Sequence, residues 1–196
     1  MSPAPTPRTR AQPLRTLFTA DQIRTRVNAM ADTLAASLPD GELLCIALLN
    51  GSFIFAADLA RALADRDVHP VIDFMTPASY GGGTVSAGSV TLKHDLKLPV
   101  EGRDILLLDD ILDTGLTLQA VCRLLAERGA ASVHTCVLLD KPSRRRVPVI
   151  ADLVGFVIDD VFVVGYGLDY DSRYRHLPYL AALALESPAA NPPGQA

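Results

Sequence analysis

The feature that most constrains the fold is a series of short, continuously apolar runs that alternate with stretches of helical periodicity. Residues 43–50, LLCIALLN, and residues 104–110, DILLLDD, are two of these runs. Strands that are apolar along their whole length are buried on both faces, as in parallel sheets. Residues 20–37 repeat apolar side chains at helical spacing, and Thr19 is a candidate N-cap for that helix. The alternation predicts an α/β fold with a mostly parallel, twisted sheet flanked by helices.

The remaining elements continue this alternation without an internal repeat. A chain of 196 residues is within the usual size of one domain. Residues 79–88, SYGGGTVSAG, are too rich in glycine to pack and predict a mobile loop. Further helices are predicted over residues 53–66 and 116–128, and further strands over residues 71–76, 89–96, 132–141, 151–158 and 161–167.

Composition excludes several classes of protein. With 49% hydrophobic and 20% charged residues the chain is typical of a globular protein. The formal net charge of −4 argues against a general affinity for nucleic acid or for anionic membranes. No uncharged apolar run reaches the ~18 residues that a membrane span needs, and the N-terminus has no apolar signal segment. We therefore expect a cytoplasmic protein, in which Cys45, Cys122 and Cys136 are buried, inert thiols.

The segment LLLDDILDTG, residues 106–115, places three acids where a buried strand ends. In open parallel sheets, ligands bind beyond the carboxyl ends of the strands. Acids at such a strand end need hydroxyl or cationic partners, and vicinal sugar hydroxyls with a divalent cation suit the first two of them. The three acids are Asp109, Asp110 and Asp113.

The residues after these acids are typical of a phosphate site at the start of a helix. Free N–H groups and the helix dipole bind phosphate there, and Gly115 lets the backbone approach closely. The lysine of a P-loop and the G-x-G-x-x-G of a dinucleotide site are both missing, which favours a single monophosphate. Ribose 5-phosphate fits both halves of the segment, whereas solvated acids with a capping threonine are the structural alternative. The phosphate-binding candidates are Thr114, Gly115, Leu116 and Thr117.

Several segments resemble one enzyme family. ILLLDDILDTGLTL resembles the phosphoribosyl pyrophosphate signature of the type I phosphoribosyltransferases. LLNGSFIFAADL, SYGGG, LLDKPSRR and GFVIDDVFVVGYGLDYDSRYRHLPY are similar, in order, to segments of the hypoxanthine(-guanine) phosphoribosyltransferases. The resemblance covers roughly residues 43–180. It implies purine salvage, in which the 5-phosphoribosyl group of phosphoribosyl pyrophosphate passes to hypoxanthine and to guanine, giving IMP or GMP and pyrophosphate, with Mg²⁺ as cofactor.

The resemblance implies a pyrophosphate site in three parts. Residues 49–52 match a loop in which a non-proline cis peptide presents backbone N–H groups, so Asn50 and Gly51 would bind pyrophosphate. Many members of the family carry Lys or Arg where this chain has Asn50. Arg175 would neutralise the departing group, and Ser79–Tyr80 would belong to a lid that excludes water.

The resemblance also assigns the base site. Asp113 stands at the position of the general base, which takes a proton from the purine ring nitrogen. Lys141 would donate to the exocyclic oxygen, which adenine lacks. Phe162 would stack on the purine, and the backbone of Val163 would bind the ring edge. The carboxylate of Asp169 would bind Mg²⁺ and the purine. The carboxylates of Asp109 and Asp110 would bind the ribose hydroxyls and Mg²⁺.

Domain organisation and alternatives complete the prediction. The phosphoribosyltransferase domain is expected over residues 19–185, with a small C-terminal hood at roughly 152–185, after a flexible leader over 1–18 and before a disordered tail over 186–196. Residues 143–146, SRRR, are expected to be a solvated basic turn. The family implies a homodimer or homotetramer. Two alternatives stay open: a xanthine–guanine phosphoribosyltransferase, and a nucleic-acid-binding regulator with the same fold.

Overall fold

The computed structural model describes residues 13–39, 41–78 and 91–184. The glycine-rich loop predicted over residues 79–88 and the tail predicted over 186–196 lie outside these ranges, as do the first twelve residues of the predicted leader.

The element order confirms the predicted α/β fold. A short 3-10 turn, Pro142–Arg144, follows the sixth strand. The three helices are α1 (Ala20–Ser37), α2 (Phe53–Ala64) and α3 (Leu116–Glu127). The strands are β1 (Leu14–Phe18), β2 (Leu43–Leu48), β3 (Val71–Pro77), β4 (Leu92–His94), β5 (Asp104–Leu112), β6 (Ser132–Asp140), β7 (Leu153–Val157), β8 (Val163–Val164) and β9 (Leu180–Leu183).

The main sheet has six strands in the order β4-β3-β2-β5-β6-β7. All neighbours are parallel except β4, which runs antiparallel to β3 at the edge. Side chains of α1 and α2 pack on one face of the sheet, and those of α3 pack on the other. This sandwich explains why β2 is buried at every residue. None of the helices in the described ranges is long and apolar enough to cross a bilayer.

Helix α1 begins and ends at the predicted residues because its start is encoded locally. The Thr19 hydroxyl accepts a hydrogen bond from the Gln22 N–H at 3.3 Å, and the Gln22 side chain accepts one from the Thr19 N–H at 2.8 Å. This reciprocal capping box satisfies two N–H groups that the helix itself cannot.

The predicted hood boundary near residue 152 is wrong, because Leu153–Val157 form β7, which pairs with β6 in the main sheet. A second, three-stranded antiparallel sheet, β1-β9-β8, forms the hood. It corrects the prediction that residues 1–18 are a flexible leader, because Leu14–Phe18 form a strand that pairs with Leu180–Leu183. The Phe18 ring also stacks on Phe156 of β7, with ring centroids 4.0 Å apart. Neither β1 nor β9 was predicted, since each is short and is stabilised by pairing with a segment far away in the chain.

The three cysteines are free thiols, as predicted. Cys45 on β2 and Cys136 on β6 are buried, on the two strands that flank β5, while Cys122 on α3 is partly buried. Burial raises the pKa of Cys45 to about 12 and, together with the charge of Asp152, that of Cys122 to about 11. All three pKa values favour the neutral, unreactive thiol at physiological pH.

Candidate active site

A cleft of about 540 Å³ opens at the carboxyl ends of β2, β3 and β5, where hood residues approach the sheet. A second groove of about 480 Å³, between α1 and α2, is lined by none of the predicted site residues. We therefore take the first cleft as the candidate site, as its position at the carboxyl rim also fits the rule for open α/β sheets. The predicted residues that line it are Asn50, Gly51, Asp109, Asp110, Asp113, Thr114, Gly115, Thr117, Asp169 and Arg175.

The floor of the cleft holds two adjacent carboxyls. Asp109 is buried, Asp110 is half-buried, and the Asp109 carboxylate accepts a hydrogen bond from the Asp110 N–H at 2.9 Å. Burial, and then the neighbouring Asp110 charge, raise the pKa of Asp109 well above its usual range. Burial also raises the pKa of Asp110, although the Asp109 side chain and the charge of Arg175 act in the opposite direction. Two such carboxyls are stabilised by a ligand that brings hydroxyl donors or a cation.

The loop after β2 packs tightly against these acids. The peptide between Leu49 and Asn50 is cis, as the resemblance implied. A Cβ on Gly51 would overlap the Asp110 carboxylate, and a Cβ on Gly167 of the hood would overlap the Gly51 carbonyl oxygen. Only glycine allows this close approach, so β2, β5 and the hood meet at one point.

The predicted phosphate-binding residues lie at the start of α3. Gly115 is the N-cap and has a left-handed φ of +83°, and a Cβ there would overlap the Val149 side chain. The Thr114 hydroxyl accepts a long hydrogen bond, 3.4 Å, from the Leu116 N–H. Thr114 and Thr117 line the cleft, whereas Leu116 is not part of its lining. A helix start with available N–H groups beside hydroxyls is suited to a phosphate.

A chain of ionic contacts joins Asp113 to Lys141. Arg144 Nε donates to the Asp113 carboxylate at 3.1 Å, and Arg144 Nη1 lies 3.6 Å from Asp160. Asp160 in turn lies 3.9 Å from Lys141 Nζ. Lys141 directly follows β6 and is only 7% exposed, and Asp160 is the acid that lies near its ammonium.

Arg145 corrects the expectation that residues 143–146 are a solvated basic turn. Its guanidinium donates to the carbonyl oxygens of Leu112, at 3.0 Å, and of Asp113, and to the carboxylate of Asp140. Both members of the Arg145–Asp140 pair are less than one-fifth exposed. Arg145 thus ties the end of β5 to the end of β6. An acid at the end of a strand, just before a run of arginines, is the sequence signal that was missed.

In the hood, Asp169 and Arg175 engage each other. Arg175 Nη2 lies 2.7 Å from one Asp169 oxygen, and Arg175 Nη1 donates to the Gly167 carbonyl at 2.6 Å. The other Asp169 oxygen accepts from the Ser172 N–H at 2.8 Å. Both side chains are therefore oriented before any ligand binds.

Of the predicted purine-binding residues, Asp169 lines the cleft, whereas Lys141, Phe162 and Val163 are not part of its lining. Phe162 is 39% exposed, and its ring meets Tyr170 edge to face, with centroids 5.5 Å apart. Val163 is buried in β8, and Lys141 lies at the end of β6. The two predicted lid residues, Ser79 and Tyr80, lie outside the described residues.

The described residues do not form a closed metal site of their own. Within residues 13–39, 41–78 and 91–184, no three His, Cys, Asp or Glu side chains are grouped to hold an ion. The carboxyls of Asp109 and Asp110 nevertheless offer the oxygen ligands that Mg²⁺ prefers, and a bound cation would offset the cost of their burial. These residues fit a magnesium ion that takes its remaining ligands from a bound substrate.

Sequence reasoning also missed residues on the far wall of the cleft. Lys93 of β4 and the segment 76–78 at the end of β3 line it. Lys93 carries no motif, and only the antiparallel pairing of β4 with β3 brings it to the carboxyl rim.

Comparisons with known proteins show which family the chain resembles. Residues 16–171 match the family model of the phosphoribosyl transferase domain. The chain is 44% identical over 169 residues to the hypoxanthine-guanine phosphoribosyltransferase of Bacillus subtilis, covering 86% of this chain and 92% of that one. It is 43% identical over 166 residues to the hypoxanthine phosphoribosyltransferase of Salmonella typhimurium, covering 84% and 92%. A solved structure of the Trypanosoma cruzi hypoxanthine phosphoribosyl transferase superposes with a TM-score of 0.82 at 41% identity, covering 90% and 94%.

Proposed function

The chain belongs to the phosphoribosyl transferase family, and from this membership we propose that it is a purine salvage enzyme. It transfers the 5-phosphoribosyl group of phosphoribosyl pyrophosphate to hypoxanthine, and also to guanine, and releases pyrophosphate. The observation that carries the proposal is the single cleft that combines a phosphate-binding helix start, two adjacent acids and a close-packed glycine loop. Each part matches one portion of the activated sugar.

The reaction exchanges one bond at the anomeric carbon for another. A purine ring nitrogen bonds to C1′ while the bond from C1′ to the pyrophosphate oxygen breaks, and pyrophosphate leaves with the electron pair. Asp113 takes the proton from the ring nitrogen, because it lines the cleft and is connected to Lys141 through Arg144 and Asp160. Its carboxylate also stabilises positive charge that develops on the ribose.

Selection of the base depends on residues that follow β6 and that begin β8. The ammonium of Lys141 donates a hydrogen bond to the exocyclic oxygen of a 6-oxopurine. Adenine carries an amino group at this position, which cannot accept that hydrogen bond. Phe162 offers a partly exposed ring for stacking. The Val163 backbone, at the start of β8, binds the edge of the purine.

Binding of the activated sugar is divided between sheet and hood. The hydroxyls of ribose bind Asp109 and Asp110, while its 5-phosphate binds at residues 114–117. Backbone groups of Asn50 and Gly51, with Arg175, bind the pyrophosphate. Magnesium, held by Asp169, Asp109 and Asp110 together with substrate oxygens, would neutralise charge on the leaving group. We also propose that Ser79 and Tyr80 belong to a lid over the site. The protein is proposed to form a homodimer or a homotetramer.

Product formation tests this function directly. The protein is mixed with phosphoribosyl pyrophosphate and Mg²⁺, and nucleotide is measured with hypoxanthine, guanine, xanthine and adenine in parallel. We expect turnover with hypoxanthine and guanine, little with adenine, and a loss of roughly 10²- to 10⁴-fold in kcat for Asp113→Asn. Asp159→Asn, at an exposed acid outside the cleft, is the matched control and should keep full activity.

The pattern across the bases separates this function from its alternatives. If xanthine is turned over faster than hypoxanthine, the protein is a xanthine–guanine phosphoribosyltransferase, which catalyses the same transfer to a different base. No turnover of any purine, together with salt-dependent retention on a nucleic-acid column, would overturn the enzyme assignment in favour of a regulator.

A further inference from the structure

Lys93 is a cation of the cleft that the proposed reaction does not yet use. It lies on the edge strand β4, its side chain is exposed, and it lines the cleft. The preceding residue, Leu92, packs into the apolar layer against α3, and alternation along the strand turns Lys93 away from that layer. Among the residues that the structure describes, no acid forms an ion pair with Lys93.

The charge of the cleft makes this unpaired ammonium informative. Among the described residues that line it, four acids, namely Asp109, Asp110, Asp113 and Asp169, face only two cations, Lys93 and Arg175. Arg175 is already engaged by Asp169 and by the Gly167 carbonyl. Asn50, on the loop proposed to bind pyrophosphate, carries no charge. Among the described residues that line the cleft, Lys93 is therefore the cation that is available to bind a polyanionic ligand.

Strand order shows which part of the ligand Lys93 can reach. Adjacent strands are about 4.8 Å apart, so β4 lies about 10 Å from β2, which leads into the loop with Asn50 and Gly51. The phosphate-binding start of α3 follows β5, one strand farther away, and Lys141 follows β6, two strands farther. The flexible four-carbon stem of Lys93 thus brings its ammonium to the pyrophosphate end of the cleft and not to the base end.

We propose that Lys93 binds the pyrophosphate group of phosphoribosyl pyrophosphate from the edge strand β4, and supplies there the positive charge that Asn50 does not. The inference rests on the proposed function, because it names a further binding residue of the same site. It predicts that the charge of Lys93 matters for a ligand that carries pyrophosphate and not for a nucleotide that carries only the 5-phosphate.

Calorimetric binding at fixed Mg²⁺ and ionic strength tests this prediction. Lys93→Gln should bind phosphoribosyl pyrophosphate about 10-fold more weakly, as expected for the loss of a charge-assisted contact, and should bind IMP within twofold of the wild type. Lys93→Arg should keep most of the affinity, and Asn50→Lys in the Lys93→Gln chain should restore part of it. Lys97→Gln is the matched control, since Lys97 is also exposed but does not line the cleft.

The outcomes keep the two proposals apart. Equal affinities for phosphoribosyl pyrophosphate in Lys93→Gln and Lys97→Gln would overturn the assignment of Lys93, even if the enzyme turns over hypoxanthine. Weaker binding of both ligands would also overturn it, because Lys93 would then act on the shared 5-phosphate or on the fold. Selective weakening without turnover of any purine would support the site while contradicting the proposed function. A wild-type protein that does not bind phosphoribosyl pyrophosphate would contradict both.

Discussion

Asp73 shows how a single buried carboxylate can hold a loop in place. It lies on β3, is 5% exposed, and its oxygens accept hydrogen bonds from the N–H groups of Phe74, Lys97 and Leu98 at 2.8–2.9 Å. Burial alone would raise the pKa of Asp73, but these three N–H groups and the nearby Lys97 charge outweigh it and lower the pKa. The segment that follows β4 is therefore tied to β3 through this side chain.

Replacing Asp73 by Asn should destabilise the protein. The amide keeps the shape, but it has one acceptor oxygen for three N–H groups and carries no charge. We expect the free energy of unfolding to fall by about 2–3 kcal/mol, the cost of leaving buried donors unsatisfied. Urea unfolding at pH 7 measures this change, with Asp159→Asn, an exposed acid, as control. A change in Asp73→Asn no larger than in the control would contradict this role.

The lowered pKa of Asp73 also predicts how stability depends on pH. Because the folded pKa lies below the unfolded value of about 4, the unfolded chain binds the proton first as the pH falls. The stabilising contribution is complete above about pH 4 and is lost as the pH falls through the folded pKa. Urea unfolding between pH 7 and pH 3 should therefore show a smaller loss of stability in Asp73→Asn than in the wild type. Parallel curves for the two proteins would contradict the prediction.

At the scale of the elements, Arg145 connects the ends of two strands that carry the proposed chemistry. It binds carbonyl oxygens at the end of β5 and the carboxylate at the end of β6 with one planar guanidinium. Lysine cannot form this forked set of contacts. Arg145 touches the backbone of Asp113 and not a substrate, so we regard it as a positioning residue.

Arg145→Lys should lower both stability and kcat. We expect a loss of about 2 kcal/mol in the free energy of unfolding, since the pair with Asp140 is largely but not fully buried. We also expect kcat to fall about 10-fold as Asp113 loses its fixed position, with a smaller change in KM for phosphoribosyl pyrophosphate. Urea unfolding and steady-state kinetics test this, and Arg146→Lys, at an exposed neighbour, is the control. A rise of about 10-fold in KM without a fall in kcat would contradict a positioning role.

What could be predicted from sequence at this scale was encoded by local residues. The bounds of helix α1 were predicted correctly because its N-cap and apolar spacing are contiguous in the sequence. The start of α3 at residues 115–116 was likewise predicted from consecutive residues, and its role in binding phosphate stays a prediction. The strand β1 could not be predicted, because its partner β9 lies more than 160 residues away. The position of Lys93 likewise depends on the pairing of β4 with β3, and its neighbours in the sequence do not indicate that pairing.

At the scale of the whole molecule, the hood and the main sheet share one apolar core. The cluster that contains α1, α2 and one face of the sheet continues into the hood through Val163, Leu168 and Leu180. Phe18 adds a second connection, because its ring stacks on Phe156 of the main sheet. The apolar cluster that belongs to the hood alone has only three buried residues, Val164, Ala181 and Leu183, so we expect that the hood does not unfold by itself.

We therefore expect a single cooperative transition in calorimetry, although the two sheets do not pair with each other. Phe18→Ala should lower the Tm of that one transition, because the substitution removes a large ring from the junction at a cost of about 3 kcal/mol. Arg15→Ala, at an exposed position of the same strand, should change it little. If two transitions appear and Phe18→Ala moves only the lower one, the hood is an independent unit and the shared core does not couple it to the sheet.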